Sequence, residues 1–303
     1  MVIHNFAELK QGFSAASPVP AVVAAAQDRH TLEGVFAAQS DGLIAPILVG
    51  DRDKILDLSA QLGQQVPPHS ILPCEGEENC ARAAVSLIRE GRGRMLIKGM
   101  LQTGTLLKAV VNKEEGIRRS QVMSHVAILE VPAYHKLLYI TDGGMVVAPD
   151  LDTKRHILRN ALDLCRFLGY EQPKAAALCA VEVETPRMPE TMEAARLKEE
   201  ARAGDFGPCL VEGPISLDLA TDPEAAAIKH YESPVAGQAD ILLVPNITSG
   251  NLLGKALYGL AGGTMAGVVL GASVPITINS RGATPEEKYC SILISAAMAG
   301  QRR

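Results

Sequence analysis

The sequence predicts an α/β protein with two domains, each built on a mostly parallel sheet. Short apolar runs alternate with helix-length segments along most of the chain, an order typical of βαβ units. Hydrophobic residues make up 47% of the chain and charged residues 21%, which suits ordinary globular domains. Finally, 303 residues are long for a single hydrophobic core and fit two domains of ordinary size.

The first part of the chain pairs each strand with a following helix. Apolar runs bounded by turn residues predict strands at 19–26, 46–49, 70–73 and 95–98. Segments with helical periodicity predict helices at 30–40, 53–62, 77–90 and 103–111. Gly63 and Gly91 end two of these helices, because glycine readily adopts the left-handed conformation that closes a helix.

The second part of the chain continues this pattern. Its predicted strands are at 137–141, 175–181, 209–212, 241–244, 268–271 and 276–278. Its predicted helices are at 151–168, 191–203, 223–231, 249–260 and 285–299. The helix at 151–168 has the clearest amphipathic face, on which Ile157, Leu158, Ala161 and Leu162 recur at helical spacing.

A break in the pattern at 142–150, where Gly143, Gly144 and Pro149 interrupt it, predicts a domain boundary. The last helix is too short to form a domain of its own, so we expect it to return to the first domain. The sequence therefore predicts a first α/β domain at 1–142 and 267–303 and an inserted second α/β domain at 143–266.

Composition excludes several classes of protein. The net charge is −5 with both signs scattered, so no basic surface for nucleic acid is expected. No apolar stretch reaches the length of a membrane span, and the N-terminus lacks the pattern of a signal peptide. The six cysteines are scattered without Cys-x-x-Cys or Cys/His ligand spacing, so we expect no metal site and a reducing, cytoplasmic location.

Ser280, Arg281 and Gly282 lie where a buried strand ends and the last helix begins. In open α/β sheets ligands bind at the carboxyl ends of strands, and a guanidinium suits phosphate or carboxylate. Glu287 follows in the first turn of the helix, where it is a candidate base, with Thr284 as the predicted N-cap. This segment alone favours a simpler interpretation, a capping serine and a solvated arginine.

Two other predicted strand ends and one further segment carry polar side chains. Lys98 and Gly99 end a strand before the helix that begins at Thr103 and carries Lys108, and hydroxyls at a helix N-terminus form a ready phosphate site. Ser124 and His125 offer further polar groups, although a lone histidine is usually structural. The segment 245–251 supplies amides and hydroxyls. These polar residues are explained equally well by capping of the next helix by Thr248 or Ser249 and by a polar wall that faces a ligand.

Taken together, the motifs resemble those of the phosphate acetyl/butyryl transferases. The shared segments run in order from about residue 90 to the C-terminus: Lys98-Gly99, Thr-Leu-Leu-Lys-Ala-Val at 105–110, Ser-His-Val at 124–126, Tyr-Ile-Thr-Asp at 139–142, Ala-Pro-Asp-Leu at 148–151, Pro245-Asn246 with Gly250-Asn251, and Ser280-Arg281-Gly282. The combination is specific although no single piece is. The segments around Lys108 and His125 are more similar to the butyryl branch.

The resemblance implies a two-domain, three-layer α/β/α fold like that of isocitrate and isopropylmalate dehydrogenases, with the active site in the interdomain cleft. It implies a homodimer or higher homo-oligomer that converts a short-chain acyl-CoA and phosphate into acyl phosphate and CoA. CoA is then a substrate, and no cofactor is expected to remain bound. The reaction proceeds by direct attack of the CoA thiolate in a ternary complex, without a covalent enzyme intermediate.

The resemblance also assigns roles to residues. Its catalytic set falls on Ser280, Arg281 and Glu287, with Glu287 in place of the family's aspartate. Lys108 stands where the acetyl branch has an arginine. The remaining substrate-binding residues are Lys98, Thr103, Ser124, His125, Asn246, Gly250 and Asn251. Val146 and Ala283 depart from spellings frequent in the butyryl branch, which leaves the acyl-chain preference open.

Three alternatives remain beside this hypothesis. A phosphate acetyltransferase differs only in acyl chain. A metal-dependent decarboxylating dehydrogenase of the same fold needs an aspartate cluster and an NAD loop, neither of which the sequence contains. A non-catalytic acyl-CoA-binding regulatory domain is disfavoured because Ser280, Arg281 and Glu287 are all present.

Overall fold

The computed structural model describes residues 2–13, 17–280 and 282–300, and its contacts divide into two compact units. The first unit comprises Lys10–Met123 and Ala266–Arg303, and the second comprises Met1–Leu9 and Ser124–Met265. The predicted boundary after residue 142 therefore falls inside the second unit. The difference arises because residues 124–130 form a strand that pairs within this unit, and the sequence analysis assigns no strand there.

The strands of the described residues are β1 (Val19–Ala24), β2 (Ile44–Gly50), β3 (Ile71–Pro73), β4 (Met95–Lys98), β5 (Ser124–Glu130), β6 (Leu138–Thr141), β7 (Lys174–Leu178), β8 (Leu210–Ile215), β9 (Ile241–Leu243), β10 (Thr264–Leu270) and β11 (Ile276–Thr277). The α-helices are α1 (Phe6–Gly12), α2 (Arg29–Ser40), α3 (Arg52–Gln61), α4 (Glu77–Arg89), α5 (Thr103–Val110), α6 (Leu151–Phe167), α7 (Pro189–Ala203), α8 (Leu217–Thr221), α9 (Pro223–Ile228), α10 (Ile247–Gly259) and α11 (Pro285–Gly300). Every strand and helix of the sequence prediction has a counterpart here. The prediction missed α1, β5 and α8.

The first unit holds a mostly parallel sheet with the strand order β3-β2-β1-β4-β11-β10. Neighbouring strands are parallel except for β11 and β10, which are antiparallel. The chain runs outward from β1 to β2 and β3 and then returns to β4 on the other side of β1. This reversal makes the carboxyl ends of β1 and β4 a topological switch point, the usual position of a ligand in such sheets.

Apolar burial explains the strands of the first unit. Val22, Val23 and Ala24 in β1 and Leu96 in β4 are almost completely buried, because strands covered on both faces become continuous hydrophobic runs. Helix α2 packs against α11, and α4 packs against α5. The last helix therefore belongs to the first unit, where the sequence analysis places it.

The second unit has the strand order β5-β6-β9-β7-β8. Strands β5 and β6 are antiparallel, and the other pairs are parallel. Because β5 runs opposite to β6, its first residues lie beside the last residues of β6, with Val126 opposite Thr141. On α6 the predicted face is buried at Ile157, Leu158, Ala161 and Leu162.

Candidate active site

The start of α11 is fixed by a capping box, in which the residue before the helix and a carboxylate in its first turn satisfy each other's backbone N–H groups. The Thr284 N–H donates to Glu287 Oε2 at 2.7 Å, and the Glu287 N–H donates to Thr284 Oγ1 at 3.2 Å. Glu287 is only 3% exposed. The predicted N-cap is therefore present, and the candidate base is a buried carboxylate with a set orientation.

Ser280 lies just before this helix, beyond the end of β11. Ser280 is exposed, and its backbone carbonyl accepts a hydrogen bond from the Ala283 N–H at 3.1 Å. The hydroxyl is thus presented at the carboxyl end of the sheet, where the sequence analysis expects a ligand. Arg281 lies outside the described residues.

The switch point of the first unit also holds Lys98. This residue ends β4 and is 6% exposed, and its Nζ donates to the Gly99 carbonyl at 3.4 Å. A Cβ on Gly99 would lie 2.2 Å from the Ala25 carbonyl oxygen, so only glycine allows β1 and β4 to end this close together. The structure therefore brings Lys98 to the edge from which Ser280 also projects.

Thr103 is the first residue of α5 and is partly buried. The N-cap residue Gln102 makes no side-chain capping bond, and its own N–H donates to Glu77 Oε2 at 2.9 Å. A helix start without a side-chain cap leaves backbone donors for another acceptor. This geometry agrees with the predicted phosphate site at Thr103.

Lys108 lies further along α5 and is 82% exposed, with its Nζ 4.0 Å from Glu78 Oε1. It lines a pocket of about 520 Å³ whose walls also include Arg82 and Arg89 of α4. Three cations thus face one pocket, in which Glu78 and Glu115 supply negative charge. The sequence analysis missed both arginines, although their spacing from Glu78 places them on one face of α4.

In the second unit, Ser124 and His125 begin β5. Ser124 is fully buried, and its Oγ accepts a hydrogen bond from Asn160 Nδ2 at 2.8 Å. This contact gives Ser124 a structural role in holding α6. Because Ser124 is buried, its hydroxyl is not accessible to a substrate in this conformation, contrary to its predicted binding role.

His125 is held beside the turn that follows β6. Its backbone N–H donates to Asp142 Oδ2 at 2.9 Å, while Asp142 Oδ1 accepts from the N–H groups of Gly144 and Met145, each at 2.7 Å. Within the described residues the ring Nδ1 is buried without a hydrogen-bond partner. Burial lowers the pKa of His125 below its usual value, and the Asp142 charge only partly offsets this. The imidazole is therefore neutral near pH 7.

Asn246 is the N-cap of α10, since its Oδ1 accepts from the Ser249 N–H at 3.0 Å. Capping by Thr248 or Ser249, one of the two sequence interpretations, is therefore wrong. A Cβ on Gly250 would lie 2.7 Å from Gly143 Cα, and Asn251 Nδ2 donates to the Gly143 carbonyl at 3.3 Å. The turn after β6 and the start of α10 are thus packed together, which brings His125, Gly250 and Asn251 to one edge of the second unit.

A second pocket, of about 560 Å³, opens at the carboxyl ends of β7 and β9 and was not predicted. Its wall includes Asn246, Cys179 and the ion pair between Lys154 and Glu193. Burial raises the pKa of Cys179 to about 12, so this thiol is not a nucleophile at neutral pH. Asn246 is the predicted site residue that this pocket contains.

The described part of the chain lacks the features of two other classes of site. Residues 2–13, 17–280 and 282–300 contain no group of three or more His, Cys, Asp or Glu side chains placed to hold a metal ion. None of the helices in these ranges has both the length and the apolar character needed to cross a bilayer.

Solved structures with the same fold identify the class. A branched-chain phosphotransacylase from Enterococcus faecalis V583 matches with a TM-score of 0.81 and 33% identity, covering 93% of this chain and 99% of that one. A 4-hydroxythreonine-4-phosphate dehydrogenase from Klebsiella pneumoniae matches with a TM-score of 0.53 and 13% identity, covering 93% and 100%, and shows the fold alone. The protein is an α/β enzyme of the phosphotransacylase fold, which confirms the predicted fold class.

Sequence relatives narrow the class. A phosphate butyryltransferase from Clostridium acetobutylicum is 37% identical over 301 residues, 99% of this chain and 100% of the relative. A phosphate acetyltransferase from Rhizobium meliloti is 40% identical over 289 residues, 95% of this chain and 92% of the relative. The family model described as Phosphate acetyl/butaryl transferase matches residues 75–296. The chain belongs to this family and is an acyltransferase, as the sequence motifs predict.

Proposed function

We propose that the protein interconverts a short-chain acyl-CoA and phosphate with acyl phosphate and CoA, with a preference of the butyryl type. The observation that carries this proposal is the end of β11, where an exposed Ser280 precedes a buried Glu287 held by the capping box. A hydroxyl donor and a carboxylate acceptor suit an acyl transfer in which one thiol proton must be removed. Relatives named for both acyl chains support the reaction class.

The chemistry follows from these two side chains. Glu287 accepts the proton of the CoA thiol, because the thiolate rather than the thiol is the nucleophile. The thiolate sulfur attacks the carbonyl carbon of acyl phosphate, and Ser280 donates a hydrogen bond to the carbonyl oxygen as negative charge develops there. The bond between the carbonyl carbon and the phosphate oxygen then breaks, which releases phosphate and leaves the thioester.

Arg281 and Lys108 complete the proposal as groups that bind the phosphoryl moiety. Arginine presents two parallel N–H donors to phosphate oxygens, whereas lysine acts as a point charge. Lys108 lines a pocket with Arg82 and Arg89, and this concentration of positive charge supports an anionic occupant. Lys98 and Thr103 lie at the switch point of the same unit, which supports their predicted contact with substrate.

Acyl-chain preference is the first prediction. We expect butyryl-CoA and branched short-chain acyl-CoAs to give a higher kcat/KM than acetyl-CoA, because the segments around Lys108 and His125 have the butyryl-type spelling. The measurement is thiol release from each acyl-CoA with phosphate, read with a thiol reagent. A tenfold preference for acetyl-CoA would identify a phosphate acetyltransferase instead, and no turnover with any acyl-CoA would favour a regulatory binding domain.

Arg281 is the subject of the second prediction. We expect Arg281→Ala to raise the KM for phosphate and lower kcat, since the substrate loses a bidentate, charge-assisted partner. Arg281→Lys should recover little of the loss, because an ammonium cannot reproduce two parallel hydrogen bonds. Steady-state kinetics with varied phosphate measure both effects. Unchanged kinetics in the lysine variant would remove Arg281 from the phosphate site.

Oligomeric state, location and cofactor use belong to the same proposal. We propose a cytoplasmic homodimer or higher homo-oligomer that holds no permanent cofactor and uses CoA only as a substrate. All six cysteines are free thiols, which supports a reducing compartment. The proposed chemistry requires only proton transfer and hydrogen bonding, and the side chains of the chain supply both.

A further inference from the structure

A partly buried ion pair joins the start of α2 to the first turn of α11. Lys288 Nζ lies 2.8 Å from Asp28 Oδ2 and 2.7 Å from Thr31 Oγ1, and Lys288 is 6% exposed. Asp28 is also the N-cap of α2, where it accepts the Thr31 N–H at 2.9 Å and a hydrogen bond from the Thr31 hydroxyl. One carboxylate thus caps α2 and holds the residue that directly follows Glu287.

The backbones of the two helices also approach closely at this point. A Cβ on Gly34 would lie 3.1 Å from the Pro285 carbonyl oxygen and 3.2 Å from the Tyr289 nitrogen. Pro285 and Tyr289 flank Glu287 and Lys288, so α2 is packed directly against the turn that carries the candidate base. Small shifts of α2 would therefore move this turn.

The charge of Asp28 is favourable in this setting. Burial acts to raise the Asp28 pKa, but hydrogen bonds from Lys288 and Thr31 outweigh it, and the pKa lies below its usual value. Asp28 therefore remains ionised at pH values near 7 and keeps its ion pair with Lys288. The N-terminus of α2 also lies at the switch point of the sheet, where ligands bind in open α/β sheets. Here a side chain of the protein supplies a negative charge at that helix end.

We propose that Asp28 and Lys288 form a positioning clamp for Glu287. The clamp fixes the first turn of α11 against α2 and thereby directs the Glu287 carboxylate toward the thiol that it deprotonates. The inference rests on the proposed base role of Glu287 and assigns functions to two residues outside the predicted site. Buried ion pairs are costly to desolvate and often add little net stability, which agrees with a geometric role.

The test begins with Asp28→Asn, which keeps the N-cap acceptor and removes the charge that holds Lys288. We expect kcat to fall by about 10- to 100-fold, the range that small misplacement of a catalytic group produces, while the KM values for both substrates change by less than about twofold, because substrate contacts remain. Asp51→Asn is the matched control. Asp51 also caps a helix, α3, and pairs with a lysine at 2.8 Å, but that lysine is Lys54 of α3 itself, so the change should leave kcat unchanged.

A second variant guards against a fold defect. Asp28→Asn leaves the buried Lys288 ammonium without a counter-charge, which destabilises proteins strongly. The double variant Asp28→Asn/Lys288→Met removes both charges, so its melting temperature should exceed that of the single variant. Its kcat should remain as low as that of Asp28→Asn. If the double variant recovers full kcat as well as stability, the loss in Asp28→Asn was caused by destabilisation alone, and the proposed positioning role is wrong.

A double-mutant cycle with Glu287→Gln separates the clamp from the base itself. If Asp28 acts through Glu287, Asp28→Asn should cost almost nothing further in the Glu287→Gln background, because coupled sites are non-additive. A full additional loss there, or wild-type kcat in Asp28→Asn beside an impaired Glu287→Gln, would remove the clamp alone. Wild-type kcat in Glu287→Gln would remove the base role and the clamp together.

Discussion

Replacement of Glu287 by glutamine is expected to lower kcat by about 10²–10⁴-fold, the usual value of a general base, with little change in the KM of either substrate. Glutamine keeps the shape of the side chain and the oxygen that accepts the Thr284 N–H, and glutamine is as suitable as glutamate in a capping box. The helix start should therefore survive while the proton acceptor is lost. Initial rates with saturating substrates measure the effect.

The pH dependence distinguishes a base from a helix-stabilising carboxylate. A free cysteine thiol has a pKa of about 8.5, so little CoA thiolate is expected near neutral pH, and the deficit of Glu287→Gln should shrink as the pH rises and solvent supplies the thiolate. Glu286→Gln is the matched control, because Glu286 is an exposed carboxylate in the same first turn and also lies at the positive end of the helix dipole. A pH-independent loss of less than threefold in Glu287→Gln would exclude the base role.

Ser280→Ala is expected to lower kcat by about 10²–10³-fold, the cost of removing one donor to a developing oxyanion. The charge on the carbonyl oxygen is larger in the transition state than in the bound substrate, so the KM values should change little. Because Ser280 is exposed beyond the end of β11, the change should leave the melting temperature unaltered.

Ser280→Thr is the matched control for the hydroxyl, since it retains the donor, and it should recover part of the turnover lost in Ser280→Ala. An alanine variant that keeps more than a third of wild-type kcat would show that the hydroxyl does not contact the reacting carbonyl. Near-ultraviolet circular dichroism of both variants checks that the segment before α11 is intact.

The sequence predicts features that neighbouring residues determine. Thr284 as the N-cap of the last helix is such a local prediction and is confirmed, and the bond between the Thr284 N–H and Glu287, three positions further on, completes a capping box. The apolar runs that become β1 and β4 are equally local. Strand β5 was missed because its first residues, Ser124 and His125, were interpreted only as polar groups for a ligand, although Val126–Leu129 carries a strand signal.

Contacts between distant parts of the chain were beyond the sequence analysis. Asp28 and Lys288 are 260 positions apart, and only the packing of α2 against α11 shows that they pair. The pocket that joins Lys108 to Arg82 and Arg89 likewise depends on how α4 meets α5. No local pattern indicates that Ser124 is buried against Asn160, because the two residues are 36 positions apart in the sequence.

Strand β11 lies between β4 and β10. The sheet of the first unit is therefore built from β1–β4, which come early in the chain, and from β10 and β11, which come near its end. Synthesis on the ribosome runs from the N-terminus, and domains usually fold in that order as they emerge. Here residues 124–265, the bulk of the second unit, emerge as one continuous stretch before β11 and α11 exist. The first unit is therefore finished last, and until β11 emerges, the edge of β4 that β11 covers stays unpaired beside the rest of the nascent chain.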